Sequence, residues 1–378
     1  MSVVGLLLSV AIARRSSVSE FSTFAIAMSL YLLVNGCIRS AITETTLSLE
    51  HSSTSDRRGF ERASIAALFA AVGLVIGSLI FESLYMVVLG LSIHGLTALD
   101  YSRTVNSALF DAEVALKQGL SWSIAVAIVA LTSFAIPVAP IVVFSTWAGV
   151  GALVGYISLW VGGYSWRPIW PRNRQHTGAA MFFSLDYLAG SGGSLLSTNL
   201  LPLAINASAV GAIRGAGTVL GPIGLLSTTA RSLTISYLSR ARAVSSQHEF
   251  KSALAVTTAL LCAVGPLALS LAFLPDGIGS FLLGESWTPA SSVLLPLALE
   301  SVLALVGSIA AAGHRSRMAG TRSLALRAAV GIPRPFAIVV AATSFGLEGA
   351  VWTMAAIAAL NVVVWWISYW RLTRVETP

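Results

Sequence analysis

Apolar residues along the chain fall into twelve runs separated by short polar or Pro-rich connections. A helix of about 20 apolar residues is long enough to cross the hydrocarbon core of a bilayer. The pattern therefore predicts an all-α polytopic membrane protein with about twelve transmembrane helices. The predicted spans are 1–13, 21–43, 63–81, 84–103, 118–136, 140–162, 178–202, 208–236, 252–273, 289–312, 323–345 and 348–370. The first run is short for a span and ends before Arg14-Arg15, so we expect a short first helix.

The positive charges alternate between successive connections. Sixteen Lys and Arg residues lie in the tail and in every second connection, whereas the other connections hold only Arg14 and Arg15. Because short loops rich in Lys and Arg stay on the cytoplasmic side, both termini are predicted to be cytoplasmic. Trp147 and Trp287 are expected at membrane–water interfaces, where Trp is enriched. The sixteen are Arg57, Arg58, Arg62, Arg103, Lys117, Arg167, Arg172, Arg174, Arg240, Arg242, Lys251, Arg315, Arg317, Arg322, Arg371 and Arg374.

Composition agrees with a bilayer as the solvent. The 378 residues are 56% apolar and 10% charged, against about 25% charged in a soluble domain. The net charge of +7 lies mostly in the predicted cytoplasmic loops, so it gives no reason to expect nucleic acid as a partner. Cys37 and Cys262 have no metal-site or disulfide spacing, and no cofactor is predicted. No Gly-rich phosphate loop with a Lys, His cluster or nucleophile motif indicates an enzyme.

The middle of the chain holds the best linker candidate. Residues 164–177 are polar, basic and Pro-rich, and they divide the spans six and six. We therefore predict an N-terminal six-helix lobe at 1–163, a cytoplasmic linker at 164–177 and a C-terminal six-helix lobe at 178–378. The same direction of crossing in both halves suggests two parallel repeats with a central cavity between them.

Ionisable residues inside the spans are the candidate functional residues, because each costs at least about 2.5–3.5 kcal/mol at a helix centre and usually faces a cavity or a partner. Five arginines against two carboxylates would give a positively biased cavity that suits an anionic substrate, since Arg pairs well with phosphate oxygens. The candidates are Arg39, Asp186, Arg214, Arg231, Glu300, Arg327 and Arg334.

Each candidate also has a structural interpretation. The arginines near span ends can extend to the interface with no role in binding. The break around Arg334, which lies between Pro333 and Pro335, is either a packing kink or a cavity-lining element. Glu300, near the middle of its span, serves a cavity or pairs with an Arg. Asp186 precedes the small-residue run 188–194, which indicates either close helix packing or a pliable helix involved in coupling.

Several stretches resemble the bacterial polysaccharide flippases of the O-antigen type, in the superfamily that includes the multidrug and toxin extrusion transporters. Ile12-Ala13-Arg14-Arg15 with 19–25 is similar to the junction of that family's first two helices, although Ser22 stands where Gly is usual. The run 209–222, beginning Ala-Val-Gly-Ala-Ile-Arg, resembles the eighth helix, with Gly217 in place of the usual Gln. Stretches 282–290 and 99–103 resemble the outer loop before the tenth helix and the end of the fourth.

The resemblance implies two six-helix lobes with a MATE-like fold, alternating access, and an isoprenoid pyrophosphate carrying a sugar repeat unit as substrate in a bacterial plasma membrane. On that basis Arg39, Arg214 and Arg231 would line the cavity and bind the pyrophosphate, and Arg334 joins them as a cavity-lining candidate. Glu300 and Asp186 would be candidates for coupling or gating, with a proton or sodium as the ion. Membrane lipids, a polysaccharide polymerase and glycosyltransferases are the other partners to expect.

Three alternatives stay open at the level of sequence. An ion-coupled multidrug or cation antiporter of the same fold would be marked by a carboxylate in the first helix, and residues 1–13 contain none. A membrane enzyme of polysaccharide assembly would be expected to have a sizeable extracytoplasmic loop with clustered charges. A scaffold or lipid-binding membrane protein would be favoured if the arginines faced lipid.

Overall fold

The computed structural model describes residues 3–44, 46, 53–108, 112–164, 181, 184–185, 187–317 and 319–374, and over these it consists of helices and short connections. Two π-helical turns, Arg39–Glu44 and Leu188–Gly192, and one 3₁₀ turn, Gly284–Ser286, interrupt the α-helices. The α-helices are α1 (Val3–Arg15), α2 (Val18–Ile38), α3 (Ser53–Phe81), α4 (Leu84–Ala108), α5 (Ala112–Ala135), α6 (Pro140–Val161), α7 (Gly193–Ala204), α8 (Ala207–Val219), α9 (Gly221–Val244), α10 (Ser246–Ala272), α11 (Asp276–Leu283), α12 (Trp287–Ser291), α13 (Leu294–Ser316), α14 (Gly320–Gly331) and α15 (Pro333–Arg374).

Length and hydropathy agree with a polytopic membrane protein. Among the described residues, eight helices or joined helices are long and apolar enough to cross a bilayer. The last of them, Gly320–Arg374, is 55 residues long and covers two of the predicted spans. The all-α polytopic fold predicted from the sequence is therefore confirmed.

Proline and glycine set most of the helix boundaries. The predicted turn at Pro137 and Pro140 separates α5 from α6. Gly346 interrupts α15 at the predicted boundary between the last two spans, with φ of 67° and ψ of −156°, a conformation that requires glycine. The predicted single span 208–236 is wrong in one respect, because it is divided at Leu220 into α8 and α9. Pro222 explains this division, since its nitrogen has no hydrogen to donate to the preceding turn.

The chain forms two compact units, Val3–Leu195 and Leu196–Pro378, which we call the N unit and the C unit. Of the predicted linker at 164–177, only Tyr164 belongs to the described residues, so the linker stays a prediction.

Close backbone contact between α4 and α6 holds the N unit together. A side chain at Gly155 would clash with the carbonyl oxygen of Gly95, and one at Gly95 would overlap Ala152. Such contacts between small residues are typical of helices packed within a membrane. Beside them, edge-to-face contacts join Phe24, Tyr85 and Phe144, with ring centroids 5.3 to 6.0 Å apart.

Each unit contains an aromatic contact of its own, and the two contacts lie at corresponding places in the N unit and the C unit. In the N unit, Phe60 near the start of α3 packs against Tyr164, just after α6, with centroids 5.6 Å apart. In the C unit, Phe250 near the start of α10 packs against Tyr369 in the last turns of α15, at 5.8 Å. In each unit, then, an aromatic residue just before the third predicted span meets one near the end of the sixth. We call these ends, which lie next to the basic connections, the basic ends. The two parallel repeats stay a prediction.

Candidate functional site

Three charged side chains meet at the basic end of the N unit. Asp100 of α4 is buried and accepts two hydrogen bonds from Arg39, one of them from Nε to Oδ2 at 2.8 Å. Arg103 donates to Oδ1 of the same carboxylate at 3.3 Å. Bidentate pairing of this kind holds the Arg39 guanidinium in one orientation. Two cations therefore share one anion, and the cluster carries a net positive charge when all three groups are ionised.

The local backbone explains why Arg39 is available to this cluster. α2 ends at Ile38, and Arg39 begins the π-helical turn Arg39–Glu44. A π-turn adds a residue to the helical ladder and is frequent at functional sites. The side chains of Arg39 and Arg103 stay 39% and 38% exposed, whereas that of Asp100 is 7% exposed. The guanidinium groups thus lie between a buried anion and open space, and can meet a second anion from the open side.

Arg214 lies in α8, a helix that begins with a capping interaction. The Asn206 side chain accepts a hydrogen bond from the backbone nitrogen of Ala209, which satisfies one of the free donors of the first turn. Arg214 is half-buried and precedes Gly217 by three positions. At 100° per residue the two positions are about 60° apart around the helix, so Arg214 lies one turn from the cavity that Gly217 lines.

A cavity of about 350 Å³ in the C unit, which we call the C-unit cavity, lies where α8 and α9 meet α13. Its serine hydroxyls donate to backbone carbonyls of their own helices, at 2.7 Å for Ser227 and Ser308 and 2.8 Å for Ser301. The lining is therefore mainly apolar, with hydroxyl oxygens that can still accept hydrogen bonds. The lining residues are Gly217, Leu220, Gly221, Ile223, Gly224, Ser227, Ser301, Ala304, Leu305 and Ser308.

Glu300 and Arg334 form an ion pair between α13 and α15. Arg334 donates from Nη2 to Oε1 of Glu300, and the two side chains are 17% and 18% exposed. Of the two sequence interpretations of Glu300, a cavity role or an Arg–Glu pair, the structure shows the pair. Arg334 lies in the first turn of α15, directly after the break between Gly331 and Pro333. The ion pair therefore joins the C unit's α13 to the start of α15.

A second ion pair, between Glu249 and Arg317, is completely buried at the basic end of the C unit. Arg317 donates from Nε and Nη2 to Oε2 of Glu249, at 2.9 and 2.7 Å. Oε1 accepts from Ser316 at 2.9 Å and from Tyr369 at 3.0 Å. Both charged side chains are at most 1% exposed. This network joins the ends of α10, α13 and α15.

The sequence pattern does not identify Asp100 or Glu249 as partners of arginine. Asp100 lies at the end of a predicted span, and Arg317, the partner of Glu249, lies in a predicted loop. The signal was weak, because an acid in the first turn of a helix, as Glu249 is in α10, is ordinarily explained by the helix dipole. The structure does not describe the side chain of Arg231 in α9 or any part of Asp186, so the roles of these two candidates stay predictions.

The ion pairs show where the charges expected from the sequence lie. Glu300 pairs with Arg334, and Asp100 pairs with Arg39 and Arg103. Asp100 and Arg103 add one charge of each sign to the seven candidates, so the count becomes six arginines against three carboxylates and the positive excess is unchanged. Apart from Arg334, the arginines of this set whose side chains the structure describes are Arg39, Arg103, Arg214 and Arg327.

Comparison with family models and with curated proteins gives no match. Among solved structures, the lipid II flippase MurJ in an inward closed conformation is similar with a TM-score of 0.73 and 14% identity, over 97% of this chain and 85% of that one. An inward-facing MATE family multidrug resistance transporter of the MOP superfamily gives 0.67 and 13% identity, over 100% of this chain and 97% of that one. A MOP superfamily transporter from Pyrococcus furiosus, described as having a binding pocket of reverse polarity, gives 0.52 and 13%, over 99% and 91%. The chain therefore has a MATE-like fold.

Proposed function

We propose that this protein is a flippase that moves a lipid-linked oligosaccharide, an isoprenoid pyrophosphate or a related polysaccharide precursor, across the bacterial plasma membrane by alternating access. The observation that carries the proposal is the placement of arginines within the helices of a transporter fold. The solved structures similar to this chain include a MATE family multidrug resistance transporter and the lipid II flippase MurJ.

The charge of the described residues favours an anionic substrate over a cationic one. Asp100 and Glu300 are each paired with arginine, and Glu20 accepts a hydrogen bond from Tyr85 at 3.1 Å. These carboxylates are therefore engaged inside the protein, where a cation antiporter would need one to bind its ion. Among the described carboxylates, Asp100 pairs with both Arg39 and Arg103, and Arg214 lies beside the C-unit cavity. The N unit and the C unit thus each contain arginines, the residue type that suits a pyrophosphate.

In this proposal Arg39, Arg214, Arg231 and Arg334 bind the pyrophosphate during translocation. Glu300 and Asp186 contribute to coupling or gating with a proton or sodium. The alternation of basic loops places both termini in the cytoplasm, which puts the basic ends of both units on that side. A polymerase and glycosyltransferases that supply or consume the precursor are the protein partners.

Reconstitution in liposomes tests the proposal. A fluorescent isoprenoid-pyrophosphate oligosaccharide is incorporated, and its appearance in the opposite leaflet is measured with a membrane-impermeant quencher. We expect wild type to move the lipid and Arg214→Ala to lose most of that activity while it stays folded. Lys117→Ala is the matched control, because it removes one positive charge from a side chain that is 73% exposed.

Two results would contradict the proposal. Equal translocation by Arg214→Ala and wild type would remove the arginine from the mechanism. No translocation by wild type, together with ion-driven efflux of a cationic dye from the same liposomes, would assign the protein to the antiporter class.

A further inference from the structure

Two ion pairs among the described residues of the C unit differ in how completely they are enclosed. Glu249 and Arg317 are at most 1% exposed, and the carboxylate also accepts from Tyr369 and Ser316. The Glu300 and Arg334 side chains keep 18% and 17% of their surface exposed. Glu249 is thus held from all sides, whereas the Glu300–Arg334 pair can be approached by a ligand without unfolding the helices around it.

The exposed pair also lies beside a cavity of a different chemistry. Glu300 immediately precedes Ser301, which lines the C-unit cavity together with Ala304, one turn further along the same face. None of the described lining side chains is charged, and the three serine hydroxyls already donate to their own helices. This described lining favours an apolar chain over a phosphate, because its side chains have no donor left to offer an anion.

A guanidinium has five N–H donors, and phosphate oxygens can accept two of them side by side, as a carboxylate does. Glu300 accepts from Nη2 of Arg334 and so occupies one of the donor positions that an anionic ligand group would use. The carboxylate is tethered to the same protein, so it competes with any incoming anion and lowers the apparent affinity for that anion.

We propose that the Glu300–Arg334 pair and the C-unit cavity form one site for a phosphate-bearing amphiphile. The phosphate replaces Glu300 on Arg334, and the first apolar units of the lipid chain enter the cavity. At roughly 30 Å³ for each small group, the cavity takes about twelve such groups, which is the size of two to three isoprene units. This inference rests on the proposed function, since it assigns the lipid end of that substrate to the C unit.

Binding to the purified full-length protein tests the site without requiring transport. The probe is farnesyl pyrophosphate, with inorganic pyrophosphate and farnesol as the separate halves of the ligand. We expect Glu300→Gln to bind farnesyl pyrophosphate about tenfold more tightly than wild type, because the internal competitor is removed. We expect Arg334→Gln to bind it about tenfold more weakly. Glu348→Gln is the matched control, since Glu348 is an exposed acid on the same helix as Arg334.

The cavity is tested by filling it. Ala304→Trp should weaken binding of farnesyl pyrophosphate and of farnesol but leave inorganic pyrophosphate unchanged. Leu299→Trp is its control, because Leu299 is 43% exposed and a ring added there lies outside the cavity. If Ala304→Trp leaves farnesyl pyrophosphate binding unchanged, the assignment of the chain to the cavity is wrong.

If Glu300→Gln folds but binds farnesyl pyrophosphate no more tightly than wild type, the proposed replacement of Glu300 by phosphate on Arg334 is wrong. Melting temperatures in detergent show which variants fold. If Glu300→Gln does not fold, Glu300→Asp is tested in its place, because the shorter acid keeps the charge but weakens the contact with Arg334. It should tighten binding by a smaller factor, and unchanged or weaker binding would again overturn the replacement. A wild type that binds the probe as described but fails to translocate it would contradict the proposed function alone. A wild type that translocates while Glu300→Gln binds no better would contradict this inference alone.

Discussion

The buried pair of Glu249 and Arg317 should dominate the stability of the C unit. Removing one member of a buried ion pair generally costs about 3–5 kcal/mol, because the other charge is left without compensation in a low-dielectric interior. Glu249→Ala removes the acceptor of two Arg317 donors and of the Tyr369 hydroxyl. The Leu372 carbonyl, 3.2 Å from Nη1 of Arg317, is an uncharged acceptor and does not replace the lost carboxylate. We therefore expect Glu249→Ala to lose about 3–5 kcal/mol of unfolding free energy.

The double variant distinguishes charge compensation from simple loss of packing. Glu249→Met with Arg317→Met replaces the pair by apolar side chains of similar volume, a change that is often neutral or stabilising. Without Glu249, the Ser316 hydroxyl still has the Gly313 carbonyl at 2.8 Å as an acceptor. The Tyr369 hydroxyl loses the carboxylate to which it donates. An unsatisfied buried donor costs about 1–3 kcal/mol. The double variant should therefore be more stable than either single variant.

The measurement is reversible unfolding of the purified protein in detergent or bicelles. Glu113→Ala is the control, because its pair with Lys117 joins side chains that are 76% and 73% exposed, and exposed pairs contribute little. If the double variant loses as much unfolding free energy as the two single variants together, Glu249 and Arg317 do not compensate each other's charge and the prediction is wrong.

Two further predictions concern glycines. Gly155→Leu should prevent folding of the N unit, because the new side chain would clash with the Gly95 backbone. Gly149→Leu should fold, since no atom lies within 4 Å of the carbon added there. The yield of folded protein in membranes is the measurement, and equal yields for the two variants would refute the packing described. Gly346→Ala should lower the stability by about 1–3 kcal/mol, because φ of 67° with ψ of −156° is essentially restricted to glycine. Gly265→Ala, at a helical position with no atom within 4 Å of the added carbon, should not. Melting temperatures check this, and a Gly346→Ala protein with the melting temperature of wild type would contradict the observed backbone conformation.

Much of the fold followed from one-dimensional properties of the sequence. Apolar runs of helical length predicted the spans, and Pro137 and Pro140 marked the break between 118–136 and 140–162, because the effects of length and of proline on a helix are local. The division of α8 from α9 was missed because Pro222 lies inside an otherwise continuous apolar run.

The site was less predictable, because ion pairing depends on which helices become neighbours. Arg39 meets Asp100 across 61 positions in the chain, and Arg317 meets Glu249 across 68, distances over which spacing in sequence carries no signal. The surroundings of Trp287 likewise depend on which helices become neighbours. This tryptophan was expected at the membrane interface, yet it is 5% exposed and donates to Asp276 at 2.8 Å. Trp147, with the same expectation, is 3% exposed and packs edge-to-face on Tyr31.

The enclosed network at the basic end of the C unit also limits how that unit can deform. Because Glu249, Arg317 and Tyr369 tie α10, α13 and α15 together, these three ends must move as a rigid block. Bending is easiest where the helical ladder lacks a donor, as it does at Pro222 between α8 and α9 and at Pro333 between α14 and α15. Pro222 lies between Gly221 and Ile223, which both line the C-unit cavity, so bending at this proline changes the shape of the cavity while the basic end stays fixed.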